Sequence, residues 1–288
     1  MEIKINNYSK ALIFFSMMIL LVLMSGCNGG VPPIVELYGT IDINSTPSGA
    51  NVYLDGVDTG QVTPIVLTNI DAGDHIIELR KFHYKRWEDV VTVIAGQTAY
   101  LNPPLLWAPE ETITIQPNAV EGKDVYVIDI YPGDNNNTIP YLSIGIFTVP
   151  TTRSYLQFDL SSVPPEIVIL DASLGLYYDS PYNLFSLPIG LYEVAENWVE
   201  NTLTWNNQPA SSNEAVDIQI ILASQTNDFV YWYIADLVKG WHEGSISNYG
   251  IVLRDTDESL DNGGAEFFSS DWLTANQRPK LIIDFYVP

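Results

Sequence analysis

The residues that most often carry out chemistry in proteins form no catalytic pattern in this 288-residue chain. The three histidines are His75, His83 and His242, and their spacing matches no metal-binding motif of the His-Glu-x-x-His type. The sequence also lacks a Gly-x-Ser-x-Gly elbow and a phosphate-binding loop. The 35 acidic residues offer so many carboxylate pairs that no single pair indicates glycoside hydrolysis. We therefore predict that the protein is not an enzyme.

Aromatic side chains are the next group able to hold a ligand, because a ring face packs against apolar surfaces such as that of a pyranose. Trp272 follows the polar run Ser269-Ser270-Asp271, and it is the aromatic residue that we most expect at a binding surface. Tyr141 and Tyr182, in proline-rich loops, are the next candidates. The tryptophans that we expect inside the protein, from the period of the stretches around them, are Trp198, Trp205 and Trp232.

Cationic side chains are scarce, with 12 against 35 acidic residues and a formal net charge of −23. Nucleic acid and anionic lipid headgroups are therefore unsuitable partners, because both would be repelled. In the C-terminal part, Arg153, Arg254 and Arg278 could form one guanidinium cluster suited to carboxylate ligands. The alternative is that they form internal ion pairs with nearby acidic residues, namely Asp159, Asp255 and Asp284.

Calcium is another way to balance this negative charge. The run Asp255-Thr256-Asp257-Glu258, followed by Asp261, places several hard oxygen ligands in one loop. The spacing is not that of an EF-hand, so the loop has two interpretations. One is a structural calcium bound by Asp255, Asp257, Glu258 and Asp261, and the other is a solvated acidic loop. No further cofactor is predicted.

The N-terminal segment has the pattern of an export signal. Lys4 and Lys10 are followed by an apolar run that ends at Met24, which is short for a membrane span and typical of a signal-peptide core. The run leads into Met24-Ser25-Gly26-Cys27, which resembles the lipobox of bacterial and some archaeal lipoproteins, and Cys27 is the only cysteine. The resemblance implies that residues 1–27 direct export and lipidation at Cys27. Two acyl chains would then anchor the protein stably outside the cytoplasm.

Two strand-rich units follow, and proline-rich linkers at residues 28–36 and 106–111 precede each of them. In the first unit, residues 37–105, Ile41 and Ile43 alternate with polar residues, and Asp55-Gly56 favours a tight hairpin. Residues 112–288 also show period-2 alternation over many short stretches, which predicts a two-sheet sandwich, jelly-roll-like. One short helix is expected from Ala235 to Glu243. The predicted fold class is therefore all-β.

The first unit resembles a PEGA domain. The resemblance rests on the run Ser45-Thr46-Pro47-Ser48-Gly49-Ala50-Asn51-Val52-Tyr53-Leu54-Asp55-Gly56 and on the Thr59-Gly60 and Thr63-Pro64 pairs after it. His83-Tyr84 stands where that family usually has Gly-Tyr. The resemblance implies a small β-sandwich that acts as a stalk or interaction module.

The second unit resembles the DNRLRE-type domain, also described as carbohydrate-binding module family 96. Its most distinctive motif is Trp198-Val199-Glu200-Asn201-Thr202-Leu203-Thr204-Trp205-Asn206-Asn207-Gln208-Pro209. Other motifs in family order are Arg153-Ser154-Tyr155-Leu156-Gln157-Phe158-Asp159-Leu160, Gly250-Ile251-Val252-Leu253-Arg254 and Arg278-Pro279-Lys280-Leu281. The resemblance implies a β-sandwich that binds acidic polysaccharide. Where family members carry Ser-Arg-Glu, this chain has Ser269-Ser270-Asp271, which lacks the arginine.

Together these features predict a lipid-anchored, non-catalytic surface protein in which a PEGA stalk carries a sandwich that binds polysaccharide or another envelope glycan. A structural or adhesion protein with an envelope protein as its partner is the alternative. A fragment of a polysaccharide-degrading enzyme is the third interpretation.

Overall fold

The computed structural model describes residues 37–146, 150–180, 186–224, 227–260 and 263–288. Cys27, Tyr182 and Asp261 lie outside the described residues. Strands make up 49 % and helices 8 % of the described residues, so the predicted all-β class is confirmed. In the described part of the chain, no helix combines the length and the apolar character that a membrane span requires.

The first unit is a sandwich of two small sheets. One sheet has the strand order β4-β1-β7 and the other has the order β3-β2-β5-β6. Alternating residues such as Ile41, Ile43, Val52, Ile77 and Leu79 are fully buried between the sheets. The strands are β1 (Tyr38–Ile43), β2 (Asn51–Leu54), β3 (Val57–Val62), β4 (Ile65–Asp71), β5 (Gly73–Arg80), β6 (Trp87–Val93) and β7 (Thr98–Leu101).

The predicted hairpin forms between β2 and β3. Its two turn residues, Asp55 and Gly56, both have positive φ values, 51° and 79°. Two positive values are the signature of the tight turn whose twist matches a β-hairpin, and Gly56 adopts this conformation without steric cost. The local sequence therefore determines how β2 and β3 pair.

The described residues of the second unit form eleven strands and one α-helix. The first strands are β8 (Glu110–Ile115), β9 (Asp124–Ile128), β10 (Tyr141–Ile146), β11 (Thr151–Leu156), β12 (Val168–Ser180) and β13 (Leu187–Glu193). They are followed by β14 (Asp217–Ile221), β15 (Phe229–Tyr233), α1 (Ala235–Glu243), β16 (Ile251–Asp255), β17 (Gly263–Phe268) and β18 (Lys280–Tyr286).

These strands form two layers. Pairing runs in the order β14-β13-β16-β11-β10-β17-β12-β18-β8, with β9 beside β11 and β15 beside β12. The connection between β11 and β10 is only two residue pairs long, Gly145 with Thr152 and Ile146 with Thr151, so the sheet divides there. Side chains from both halves, including Leu191, Leu253 and Phe267, pack into one buried core. The unit is therefore a sandwich, with a β9-β11-β16-β13-β14 layer and a β10-β17-β12-β18-β8 layer that also carries β15.

Helix α1 begins and ends where the sequence predicted. Asp236 lies in its first turn, where a negative charge is stabilised by the helix dipole. Leu237, Val238 and Trp241 are buried on one side, and Gly244 ends the helix in the left-handed conformation with φ of 73°. The helix closes one end of the core, in contact with β12.

Aromatic rings join the two units. His83 stacks on Trp107 with ring centroids 5.1 Å apart, and its centroid lies 5.2 Å from that of Tyr286 on the last strand. Phe82 meets the edge of Tyr286 at 5.7 Å. His83 has a φ of 63°, a conformation that favours glycine, at the position where PEGA domains usually have that residue. His83 therefore adds ring contacts at the joint between the two units, but its backbone adopts a conformation that glycine would adopt more easily.

Candidate functional site

The outer side of the β10-β17-β12 layer, together with β15, carries a row of six aromatic rings, which we call the aromatic face. Side chains alternate along these strands, so Leu142 and Phe267 enter the core while their neighbours Tyr141 and Phe268 lie on the opposite side. The loop after β17 adds Trp272. The members of the aromatic face are Tyr141, Tyr177, Phe229, Tyr231, Phe268 and Trp272.

The rings touch one another in sequence along this surface. Trp272 lies parallel to Phe268, with centroids 3.8 Å apart, and Tyr177 lies parallel to Phe268 at 5.5 Å. Phe229 meets Tyr177 edge-on at 5.2 Å, and Tyr141 lies 5.5 Å from Trp272. Five of the six rings are half-buried, whereas Phe268 is only 3 % exposed because its neighbours cover it. The contacts produce a continuous, partly exposed aromatic surface, and exposed aromatic rings are the side chains that pack against sugar rings.

Hydrogen bonds hold Trp272 at one end of the aromatic face. Its indole Nε1 donates to Oε1 of Gln277 over 3.0 Å, and its backbone oxygen accepts from Nε of Arg278 over 2.6 Å. The Arg278 guanidinium thus positions the loop that carries the tryptophan. The structure places these two predicted residues, together with Tyr141, in one region.

The other end of the aromatic face depends on a glycine. Gly175 pairs with both Tyr231 and Lys280, one on each side. A Cβ atom at this position would lie 2.8 Å from Cε1 of Tyr231 and 3.1 Å from Cε of Lys280. The absent side chain lets Tyr231 and Lys280 close over the strand. The Lys280 ammonium then lies 3.6 Å from the ring centroid of Phe229, a close cation–π contact.

Two carboxylates lie beside Tyr141. Asp179 and Glu266 are half-buried, and burial raises the pKa of each above its ordinary value. Repulsion from Asp179 raises the pKa of Glu266 further. Burial also raises the pKa of the Tyr141 hydroxyl, and both carboxylates contribute to this shift. These two carboxylates thus bring negative charge to this end of the aromatic face.

Arg153 and Arg254 lie on the outer side of the other layer, so the three arginines that could have formed one cluster are separated. Arg153 donates from Nε and Nη2 to the two carboxylate oxygens of Glu258, over 2.7 and 2.5 Å. Its guanidinium also covers the ring of Trp205 at 4.8 Å. Arg254 lies over the ring of Tyr192 at 4.1 Å. A single guanidinium cluster is not formed because Arg278 precedes β18, in the second layer.

The loop predicted to bind calcium makes its own internal contacts. Oδ1 of Asp255 accepts from the backbone N–H of Asp257, and Oδ1 of Asp257 accepts from the backbone N–H and hydroxyl of Ser259. Glu258 forms an ion pair with Arg153. Within the described ranges, no group of three or more His, Cys, Asp or Glu residues is arranged to hold a metal ion. Because Asp261 lies outside those ranges, calcium binding by this loop stays a prediction.

Three members of the aromatic face, Tyr177, Phe229 and Phe268, were not among the aromatic residues that the sequence indicated for sugar binding. Alternation within β15 was a usable signal, since Trp232 is buried while its neighbours Tyr231 and Tyr233 point away from the core. The expectation that Trp198 and Trp232 are core residues is confirmed, with 5 % and 0 % exposure, whereas Trp205 is half-buried.

Comparisons with known proteins agree with the order of the two units. The family model of the PEGA domain matches residues 38–106, and that of carbohydrate-binding module family 96 matches residues 116–285. No curated protein matches the chain. Among solved structures, "The Bacillus anthracis TIE protein" is similar at 12 % identity and a TM-score of 0.20, over 81 % of this chain and 48 % of that one. The present chain thus spans about half the length of that protein. Because one family model covers more than half of the sequence, the chain belongs to carbohydrate-binding module family 96 and carries a PEGA domain before that module.

Proposed function

We propose that this protein is a lipid-anchored, non-catalytic surface protein that binds polysaccharide through the aromatic face of its C-terminal sandwich. Membership of carbohydrate-binding module family 96 suggests carbohydrate binding in general. The observation that carries the specific proposal is the row of six touching rings between Tyr141 and Tyr231. Successive pyranose units of a chain would pack along the five half-buried rings, and polar groups at both ends would receive the hydroxyls.

Affinity gel electrophoresis tests this binding surface. The full mature protein is run through gels that contain neutral, acidic or amino polysaccharides, with and without calcium. We expect retention by at least one polysaccharide and a loss of about tenfold in affinity for Trp272→Ala, because one end of the aromatic face is removed. Leu273→Ala is the matched control, since Leu273 is adjacent and 91 % exposed. Retention that is the same for both variants would exclude this surface.

The anchor and the stalk are proposed from the N-terminal part of the sequence. The apolar run before Met24-Ser25-Gly26-Cys27 supports export and lipidation at Cys27, and the PEGA domain would separate the sandwich from the membrane. Mass spectrometry of the mature protein should find an acylated Cys27 at its N-terminus. Cys27→Ser should release the protein from the membrane fraction, and an unmodified Cys27 in the wild type would contradict the anchor.

The non-catalytic role is tested with the same polysaccharides. We expect no new reducing ends and no unsaturated products after prolonged incubation with the purified protein. Product formation that scales with protein concentration would assign the chain to polysaccharide degradation instead.

A protein partner in the envelope is the second candidate function. Strand β14 forms the outer edge of its layer and carries Ile218 and Ile220, which are 49 % and 58 % exposed. Exposed apolar residues on an edge strand favour pairing with another chain. Pull-down from the native envelope separates the two candidates, because a stoichiometric protein partner that resists glycan competition would favour this one.

A further inference from the structure

Among the described residues, Asp179 and Glu266 have no hydrogen-bond or ion-pair partner at the Tyr141 end of the aromatic face. Glu266 pairs with Ser143 of β10 on one side and with Ser180 of β12 on the other, so its position is set by the sheet. In the part of the chain that the structure describes, neither carboxylate makes a hydrogen bond or an ion pair with another side chain. A half-buried carboxylate without a partner loses part of its hydration, and no hydrogen bond or ion pair compensates for this loss.

Arg278 and Lys280, the basic residues described at the two ends of the aromatic face, have other partners. Arg278 donates to the backbone oxygen of Trp272, and Lys280 lies over the rings of Phe229 and Tyr231 at the opposite end. Burial and mutual repulsion raise the pKa of Glu266, which means that its ionised form lacks compensation. A cation placed between the two carboxylates would supply that compensation through charge-assisted hydrogen bonds.

We propose that the aromatic face takes a polysaccharide of amino sugars with free, protonated amines, one ammonium group lying between Asp179 and Glu266. This inference rests on the proposed function, because it names the sugar class for the same surface. The pyranose ring that bears the ammonium would stack on Tyr141 and Trp272, whose centroids are 5.5 Å apart.

Charge complementarity favours amino-sugar polymers over two other classes of polysaccharide, polyuronates and neutral polysaccharides. A polyuronate would bring carboxylates against two carboxylates that already repel each other, on a chain of net charge −23. A neutral polysaccharide would offer hydroxyls, whose hydrogen bonds to carboxylates are weaker than those of an ammonium group. Of the three classes, only the amino-sugar polymer would bring a positive charge to Asp179 and Glu266.

Isothermal titration calorimetry with two matched oligosaccharides tests the inference. A hexamer of glucosamine and a hexamer of N-acetylglucosamine share the same backbone and differ in the charge on nitrogen. The full mature protein is titrated with each at mildly acidic pH and roughly physiological salt, so that long-range attraction is screened. We expect the glucosamine hexamer to bind about tenfold more tightly, and Asp179→Asn/Glu266→Gln to reduce this preference to about twofold or less.

A control variant separates local from overall charge. Glu166→Gln/Glu243→Gln removes the same number of negative charges from exposed positions elsewhere on the sandwich. It should keep the tenfold preference. Equal affinity for the two hexamers, or a preference that survives Asp179→Asn/Glu266→Gln, would overturn the inference while leaving polysaccharide binding intact. If no saccharide or polysaccharide binds the wild type in either experiment, the proposed function fails and this inference fails with it.

Discussion

Trp272 lies flat on Phe268, with a ring separation of 3.8 Å and an angle of 4° between the planes. The two residues are four positions apart, one on strand β17 and the other in the loop after it. Trp272 therefore extends the row of rings beyond the end of the strand and shields Phe268 from water. This stack connects the loop that Arg278 positions to the rings of the aromatic face that lie on the sheet.

Gly175→Ala should disturb the Lys280 end of the aromatic face. The added Cβ would lie 2.8 Å from Cε1 of Tyr231, so the ring and the lysine must move. We expect a loss of about 1–3 kcal/mol in unfolding free energy and a severalfold loss of polysaccharide affinity. Denaturant unfolding and gel retention measure the two effects. Gly133→Ala is the control, because no atom lies within 4 Å of the place that its Cβ would take and the residue is exposed.

Asp124 should make the stability of the sandwich fall as pH rises. Its Oδ2 accepts from the backbone N–H of Ser270, while its buried Oδ1 has no partner within the described residues. Burial raises its pKa from 3.8 to about 7, and Glu200 and Asp271 add repulsion. The folded state thus binds the proton more tightly than the unfolded state. The resulting stability is fully present below pH 3.8 and is lost as pH rises through about 7.

Asp124→Asn should remove most of this pH dependence. The pKa shift of Asp124 limits the change in unfolding free energy to about 4 kcal/mol. The measurement is the thermal midpoint of each protein at about pH 5 and about pH 8. Asp159→Asn is the control, because hydrogen bonds from the backbone and hydroxyl of Ser161 lower the pKa of Asp159 instead. A wild-type midpoint that does not fall between the two pH values would contradict the assignment.

Arg153 and Glu258 should be strongly coupled in a double-mutant cycle. The pair has two parallel hydrogen bonds, and its side chains are only 23 % and 22 % exposed. We expect Arg153→Ala and Glu258→Ala to show a coupling energy of about 1–3 kcal/mol in denaturant unfolding. Arg153→Ala combined with Glu166→Gln should be additive. If the effects of Arg153→Ala and Glu258→Ala on the unfolding free energy are additive, the contact does not contribute to stability.

His83→Gly should loosen the joint between the two units without harming the PEGA domain. Glycine adopts a φ of 63° without strain, so the domain should gain up to about 1 kcal/mol. The contacts with Trp107 and Tyr286 are lost at the same time. Small-angle X-ray scattering should then show a broader distribution of overall dimensions.

His83→Ala is the comparison for this experiment, because it also loses the ring but keeps the unfavourable φ. It should broaden the distribution to the same degree and lower the stability of the PEGA domain relative to His83→Gly. Scattering curves identical to that of the wild type for both variants would show that the rings do not hold the joint.

Local patterns were sufficient to predict several elements of this protein, although Tyr141, expected in a loop, begins strand β10. Alternation predicted the strands around Ile41 and Ile43, the Asp55-Gly56 pair predicted the first hairpin, and the limits of α1 were predicted as the structure has them. These features depend on residues close in sequence, whose backbone preferences and side-chain periods act within a few positions. The motifs were also sufficient to indicate the PEGA domain and the module after it, in the correct order.

Only the tertiary structure decided which side chains meet. Arg153 and Glu258 are 105 positions apart, and Asp124 reaches Ser270 over 146 positions. The aromatic face requires β12 to pair with β15 on one side while β17 brings Phe268 from the other. Such contacts depend on strand order and register, which a short stretch of sequence does not encode. The sequence by itself therefore determined several strands, the helix and the family motifs, whereas long-range pairing decided the row of rings, the positions of Asp179 and Glu266 and the separation of the arginines.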